Sequence, residues 1–179
     1  MKMRVICISG KAGHGKDTVA EMLQDELSEV YGQKVFITHY ADLLKYILKT
    51  YFDWDGQKDG RGRKLLQYVG TDIVRERSPD FWVNFVASIL KFFGDYWDWV
   101  IIPDTRFPNE LDVLKEHGFN VTHIRVDGKN RDNLTAEQAA HPSETALDDV
   151  TPDVLIKNAS TLSALRKIID QWVKENVNE

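Results

Sequence analysis

One cysteine stands in 179 residues, so no internal disulfide can staple this chain. It is Cys7, within the apolar run Val5-Ile6-Cys7-Ile8, the setting of a small buried core residue. No apolar stretch comes near the ~20 residues that cross a bilayer. The first apolar run breaks at Ser9-Gly10-Lys11, too early for a signal peptide. These absences predict a reduced, cytoplasmic protein with no membrane partner. Surplus positive charge is lacking too: 23 Lys and Arg against 28 Asp and Glu leave a net charge of −5. That balance argues against generic nucleic-acid or anionic-membrane binding, while allowing a local basic pocket for a phosphorylated small molecule. Internal repeats, low-complexity tracts, long linkers and His/Cys metal-ligand clusters are also missing.

What is present is an ordinary folding composition, 42% apolar and 28% charged, at a length suited to one domain. Strand-like and helix-like patterns alternate. Arg4 to Ile8 reads as a strand buried on both faces. After a glycine loop, Val19, Met22, Leu23, Leu27 and Val30 form a helical stripe ended by Gly32. Val35-Phe36-Ile37 is a second strand, followed by a helix carrying Leu43, Leu44, Ile47 and Leu48. Residues 53–64, rich in glycine and charge, predict a mobile loop. Leu65, Leu66, Val69 and Ile73 predict another helix, and Ser78-Pro79 a helix start leading into a buried helix from Phe81 to Phe93. Strands are expected at Trp99–Ile102, at Val121–Val126 and at Asp153–Ile156. Helices are expected around Leu111 and Leu114 and over Leu162–Val173. The alternation predicts an α/β fold, three layers with a five-stranded parallel sheet between helices. The three helices between the second and third strands exceed a simple crossover and predict an inserted substrate-binding region.

The informative segment is Ile8-Ser9-Gly10-Lys11-Ala12-Gly13-His14-Gly15-Lys16-Asp17-Thr18. It fits G-x-x-x-x-G-K between a strand and an amphipathic helix. Gly10, Gly13 and Gly15 let backbone amides approach a phosphate chain, and Lys16 adds a mobile positive charge. Residues 10–18, including Lys11, Ala12 and His14, are therefore the candidate ATP-binding loop. The residue after Lys16 is Asp17 rather than Ser or Thr, and Thr18 follows. Asp17 either holds Mg²⁺ through water or serves the helix dipole.

Further pieces stand in order along the chain: Leu66-Gln67-Tyr68-Val69-Gly70-Thr71-Asp72, Arg75, Pro79-Asp80-Phe81-Trp82, Asp104-Thr105-Arg106-Phe107-Pro108-Asn109-Glu110, His141-Pro142-Ser143-Glu144, and Asp153-Val154-Leu155-Ile156-Lys157-Asn158. In order and spacing the set resembles the bacteriophage-type deoxynucleoside monophosphate kinases, from about residue 4 to about residue 170. The loop form, with threonine two after the lysine, is that of nucleoside monophosphate kinases.

The resemblance implies a P-loop kinase domain over residues 1–179, with a core (about 1–40, 97–126 and 150–179), an acceptor-binding insertion (about 41–96) and a lid (about 127–149). It implies ATP as donor, Mg²⁺ as cofactor, a nucleoside monophosphate as acceptor and product release as the diphosphate. A homodimer is left open. Asp104, just past a strand, is either a Mg²⁺ ligand through water, beside Asp17 and Thr18, or a helix cap. Arg106 resembles the arginine that grips the acceptor phosphate, against a surface salt bridge. Glu110 faces the acceptor base or starts a helix. Lys45, Gln67, Thr71, Asp72, Arg75 and Trp82 are acceptor-site candidates, Trp82 being a core residue in the other reading. Arg131, with Arg125, is available to neutralise the transferring phosphoryl group from the lid. His141 contacts ligand or caps a helix, and Asn158 encloses adenine or completes a turn. Kinases of phosphomevalonate, dephospho-coenzyme A and shikimate share parts of the pattern. A nucleotide-binding module without turnover is the alternative from another class.

Overall fold

The computed structural model describes residues 3–129 and 134–177. Its centre is a five-stranded, wholly parallel sheet in the order β2-β3-β1-β4-β5, with β1 at Arg4–Ser9, β2 at Val35–Ile37, β3 at Trp99–Ile102, β4 at Asn120–Gly128 and β5 at Val154–Asn158. Period-two alternation sends Val5 and Cys7 to one face and Ile6 and Ile8 to the other, all fully buried. The first face packs against α2 (Ala41–Tyr51), α4 (Phe81–Phe93) and α5 (Pro108–Glu116) through Leu44, Leu48, Val83, Leu90 and Leu114. The second packs against α1 (Lys16–Asp25) and α8 (Leu162–Asn176) through Val19, Leu23, Leu165, Ile169 and Val173. Three layers result, as the alternation requires.

The chain between β2 and β3 holds α2, α3 (Gly60–Gln67, continued by a π-helical stretch Tyr68–Arg75) and α4. Four local expectations change. The segment 53–64 is helical from Gly60 onward, because Asp59 caps the helix by accepting from the Gly62 amide at 2.7 Å. The helix expected to start at Ser78-Pro79 begins at Phe81 instead. The Ser78 amide still belongs to the preceding helix, bonding the Val74 carbonyl at 2.8 Å, and the Pro79 carbonyl is taken by Arg75 and Asn109. That helix is also two-sided rather than wholly buried: Trp82, Val83, Val86, Ala87 and Leu90 face inward while Phe81, Phe85, Phe92 and Phe93 are exposed. β5 runs two residues beyond the expected end, so Asn158 is its last residue and not in the turn after it.

After β4 come two short helices, α6 (Ala136–Ala140) and α7 (Pro142–Thr145), which cross the carboxyl edge of the sheet before β5. β1 and β3 are hydrogen-bonded neighbours, with Cys7 opposite Ile102. Their carboxyl ends, and the loops that leave them, therefore open side by side on the edge where open α/β sheets bind ligands.

Candidate active site

The loop after β1 turns on glycines for steric reasons. Gly10 has φ 144°, and a Cβ there would lie 2.4 Å from the Val126 carbonyl oxygen. Gly15, at φ 91°, is the left-handed residue directly before α1, so the amides of the first helical turn are left for a ligand. Lys16 curls back over the loop, its Nζ donating to the carbonyls of Gly10 and Lys11, both at 2.9 Å. Burial, with Arg106 nearby as the second cause, lowers its ammonium to about 8 from an ordinary 10.5.

A cleft of about 580 Å³ opens above the loop. Its floor is Ala12, Gly13, Gly15, Lys16, Asp17 and Thr18. One wall comes from the insertion, with Lys45, Gln67, Thr71, Arg75 and Trp82. The other comes from the loop after β3, with Asp104, Arg106 and Glu110. Six of the expected residues do not line the cleft: Gly10, Lys11, His14, Asp72, His141 and Asn158. Arg131 lies outside the described residues.

The six have other contacts. His14 Nδ1 accepts from the Gly128 amide at 3.2 Å, and Asn158 Nδ2 donates to the His14 carbonyl at 3.0 Å, so both anchor the loop to the ends of β4 and β5. Lys11 Nζ donates to the Glu144 carbonyl at 2.6 Å and to the Asp148 carboxylate. His141 caps α7 by accepting from the Ser143 amide at 3.2 Å, and its Nε2 lies 3.3 Å from Asp72.

Within the cleft, several side chains are engaged by the protein. Asp104 accepts from the Tyr40 and Ala41 amides, each at 3.0 Å, and so caps α2. Arg75 is buried. Its Nη1 donates to the Pro79 carbonyl and Asn109 Oδ1, its Nη2 to Glu110, and its guanidinium lies 3.9 Å over the Phe107 ring. Glu110 also accepts from the Arg106 and Phe107 amides at 2.7 and 3.1 Å, which starts α5. Burial pushes its carboxyl up while Arg75 pulls it down. Trp82 is buried, with Nε1 donating to the Gly70 carbonyl at 2.9 Å. Lys45 pairs with Asp42 at 2.9 Å, and Gln67 reaches the Gln138 carbonyl at 3.5 Å. Arg125 does not line this cleft; it is tied to the Leu147 carbonyl and Asp148. Cys7 is fully buried, its thiol pushed up to about 12 by burial, and carries no accessible chemistry.

Sequence reasoning missed His39, Tyr40, Lys58, Arg63, Phe107, Ser143 and Glu144, all of which line the cleft. His39 stands two residues past β2, at the same sheet edge as Asp104, and that position was the available signal. Lys58 and Arg63 were visible only as charges in a loop. Glu144 was visible only as part of a motif.

As metal donors, the Asp17 carboxylate, the Thr18 hydroxyl and the Asp104 carboxylate are hard oxygens on one cleft. Among the described residues no group of three or more His, Cys, Asp or Glu could hold an ion alone. That donor set fits Mg²⁺, which takes one or two carboxylates and completes its shell with water and substrate phosphates.

A family model described as deoxynucleotide monophosphate kinase matches residues 38–169. A protein of Acanthamoeba polyphaga mimivirus named for the same kinase activity is 29% identical over 187 residues, covering 89% of this chain and 91% of its own length. The deoxynucleotide monophosphate kinase of Enterobacteria phage T4 is 31% identical over 114 residues, 63% of this chain and 45% of the phage protein. Among solved structures, a sugar kinase from Janibacter sp. aligns with a TM-score of 0.60 at 17% identity, covering 96% of this chain and 95% of that one. The Mycobacterium tuberculosis APS kinase aligns with a TM-score of 0.53 at 10% identity, covering 97% and 98%. At such identities the two structures speak for the fold alone.

Proposed function

Since the chain belongs to the deoxynucleotide monophosphate kinase family, we propose that it transfers the γ-phosphoryl group of ATP to a deoxynucleoside monophosphate, releasing ADP and the diphosphate. One observation supports this reading above the others: Lys16, at the start of α1, and Arg106, after β3, line one cleft and lie close enough that Arg106 depresses the Lys16 ammonium. Two cations meeting over a phosphate loop suit a donor phosphate chain and an acceptor phosphate brought together.

The acceptor phosphate is already an anion, so the reaction needs alignment and charge stabilisation rather than a strong base. An oxygen of the acceptor phosphate attacks the γ-phosphorus, the bond to the β–γ bridging oxygen breaks, and ADP leaves with that electron pair. The amides of residues 13 and 15–18 and Lys16 hold the donor phosphates. Arg106 takes the acceptor or the moving phosphoryl group. Asp17, Thr18 and Asp104 would hold Mg²⁺, which when bound neutralises charge on the donor oxygens. The insertion supplies Lys45, Gln67, Thr71 and Trp82 to the acceptor side, and Arg75 supports that wall through Glu110. Residues 127–149 act as the lid, with Arg131 the cation it brings, and closure keeps water from the γ-phosphoryl. In this reading the chain divides into core, insertion and lid, and His141 serves the lid through Asp72. Asn158 serves the nucleotide by holding the loop in shape.

The test is ADP release, followed in a coupled assay with ATP and Mg²⁺, across all deoxynucleoside and ribonucleoside monophosphates. Acceptor-dependent release with at least one deoxynucleoside monophosphate is expected. ATP binding with no acceptor-dependent release across the whole panel contradicts the proposal.

A further inference from the structure

Arg106 is gripped on one side. Its Nη1 donates to the Ser143 carbonyl at 2.7 Å and to Glu144 Oε1. Among the described residues its Nε and Nη2 carry no hydrogen bond, and the side chain lines the cleft. The Glu144 side chain is only 6% exposed. Its second oxygen, Oε2, accepts from the Ala12 amide of the phosphate loop at 3.0 Å. Its main-chain carbonyl is held by Lys11 Nζ at 2.6 Å. The carboxylate is thus fixed at both oxygens and at its backbone, and it joins the donor loop to the arginine across the cleft.

Such an arrangement is a poor source of stability. Two charges taken out of water gain little over a packed apolar pair of the same volume. What it does provide is orientation. A guanidinium has five donors in a fixed plane, so fixing Nη1 fixes where the other donors stand. The Arg106 backbone is set separately, by its amide bond to Glu110. One carboxylate places the main chain and the other places the head group.

We propose that Glu144 is the positioning residue for Arg106, holding Nη1 against the phosphate loop so that Nε and Nη2 stand ready to take two oxygens of a phosphoryl group in the cleft. The inference rests on the kinase reading for its consequence in turnover. The geometric part, that Glu144 immobilises the guanidinium, can be measured without turnover.

The experiment uses the full chain in wild-type form and as Glu144→Gln, Glu144→Ala, Arg106→Ala and the double variant Glu144→Ala/Arg106→Ala. Nitrogen-15 NMR of labelled arginine side chains reads rotation of the Arg106 head group directly. Slow rotation is expected in the wild type and fast rotation in Glu144→Ala. In kinetics, Glu144→Ala should lower acceptor kcat/KM about tenfold or more with direct ATP affinity changed by less than about threefold. In the Arg106→Ala background the same change should cost less than about twofold, because the residue acts through that arginine. Glu144→Gln should fall between, since one amide oxygen can serve Arg106 or the Ala12 amide but not both. If Glu144→Ala does not fold, the Gln variant supplies the same comparison.

Three results would overturn the proposal: an Arg106 signal equally immobile without the carboxylate, an equal kinetic loss in both backgrounds, or ATP binding tightened about tenfold with turnover intact. The last would mean that Glu144 competes with phosphate for the Ala12 amide. If the wild type turns over no acceptor, the kinase reading fails, and the NMR comparison still decides whether Glu144 fixes Arg106.

Discussion

Asp104 Oδ1 accepts from the Tyr40 amide at 3.0 Å, so the carboxylate that ends β3 is also the N-terminal cap of α2. Its second oxygen does the same for Ala41, which leaves little freedom for the side chain to move toward an ion. Asp104→Asn turns an NH₂ group toward one of two amide donors. The expected outcome is a stability loss of about 1–2 kcal/mol by urea denaturation, as for a lost cap, together with a raised Mg²⁺ requirement for turnover. An unchanged Mg²⁺ titration beside the same stability loss would leave Asp104 a cap only.

Lys16 carries a pH signature. Its ammonium titrates near 8 in the folded chain against an ordinary 10.5, so above pH 8 the free protein holds a neutral amine there. A bound phosphate favours the charged form and draws a proton in. ATP affinity should therefore fall as pH rises through 8, and binding at about pH 8.5 should take up part of a proton. Titration calorimetry in two buffers of different ionisation enthalpy measures the uptake, and Lys16→Ala should abolish it. The same variant should lose about 10²–10³ in turnover. Proton-neutral binding above pH 8 would show that the amine does not meet the phosphates.

Arg75 and Glu110 form a buried pair that fastens the insertion to the start of α5. Arg75→Met leaves the Glu110 carboxylate inside without its partner. We expect a loss of about 3–5 kcal/mol in chemical denaturation, the usual cost of breaking a buried pair. Replacing both, as Arg75→Met with Glu110→Gln, should recover much of it. If Arg75→Met instead keeps its stability and raises only the acceptor KM, its role is in the acceptor site directly.

Arg106 differs from Arg75 in being about a third exposed to the cleft, where Arg75 is buried against Glu110. Arg106→Lys substitutes a point charge for a planar fork. Use of the monophosphate acceptor should weaken about tenfold or more, roughly 1.4 kcal/mol, while ATP affinity without acceptor stays nearly constant. Steady-state kinetics with varied acceptor, beside direct ATP titration, separates the two. Weakened ATP with an unaffected acceptor would move Arg106 to the donor side.

The sheet was legible because its strands are short apolar runs, the inner ones β1 and β3 buried on both faces, and because the phosphate-loop pattern follows the first of them. Local glycine geometry at Gly10 and Gly15 follows from the same pattern. What the sequence did not disclose depends on partners distant in the chain. Asp104 caps a helix 63 residues before it, where the nearer α5 seemed the natural candidate. Arg75 reads as a basic residue free for phosphate until α5 brings Glu110 against it. Glu144 stood within a motif, but nothing local gave it a role, since its partners Ala12 and Arg106 lie 132 and 38 residues away. The start of α3 at Gly60 was hidden by a run of charges whose capping residue, Asp59, was one charge among seven.

The segment carrying α6 and α7 is stitched down along two seams of unequal strength. Toward the phosphate loop the stitches are short and charged, Lys11 to Glu144 and Asp148, and Glu144 to Ala12. Toward the insertion they are long: 3.3 Å from His141 to Asp72, and 3.5 Å from Gln67 to the Gln138 carbonyl and from Gln138 to the Gly60 carbonyl. Hydrogen bonds of that length are weak. Thermal opening is therefore expected to part the insertion side before the loop side. Lys45, Gln67 and Thr71 line the cleft on that weaker side, so in the proposed reading the acceptor would exchange there while the loop side, with Lys16, stays closed.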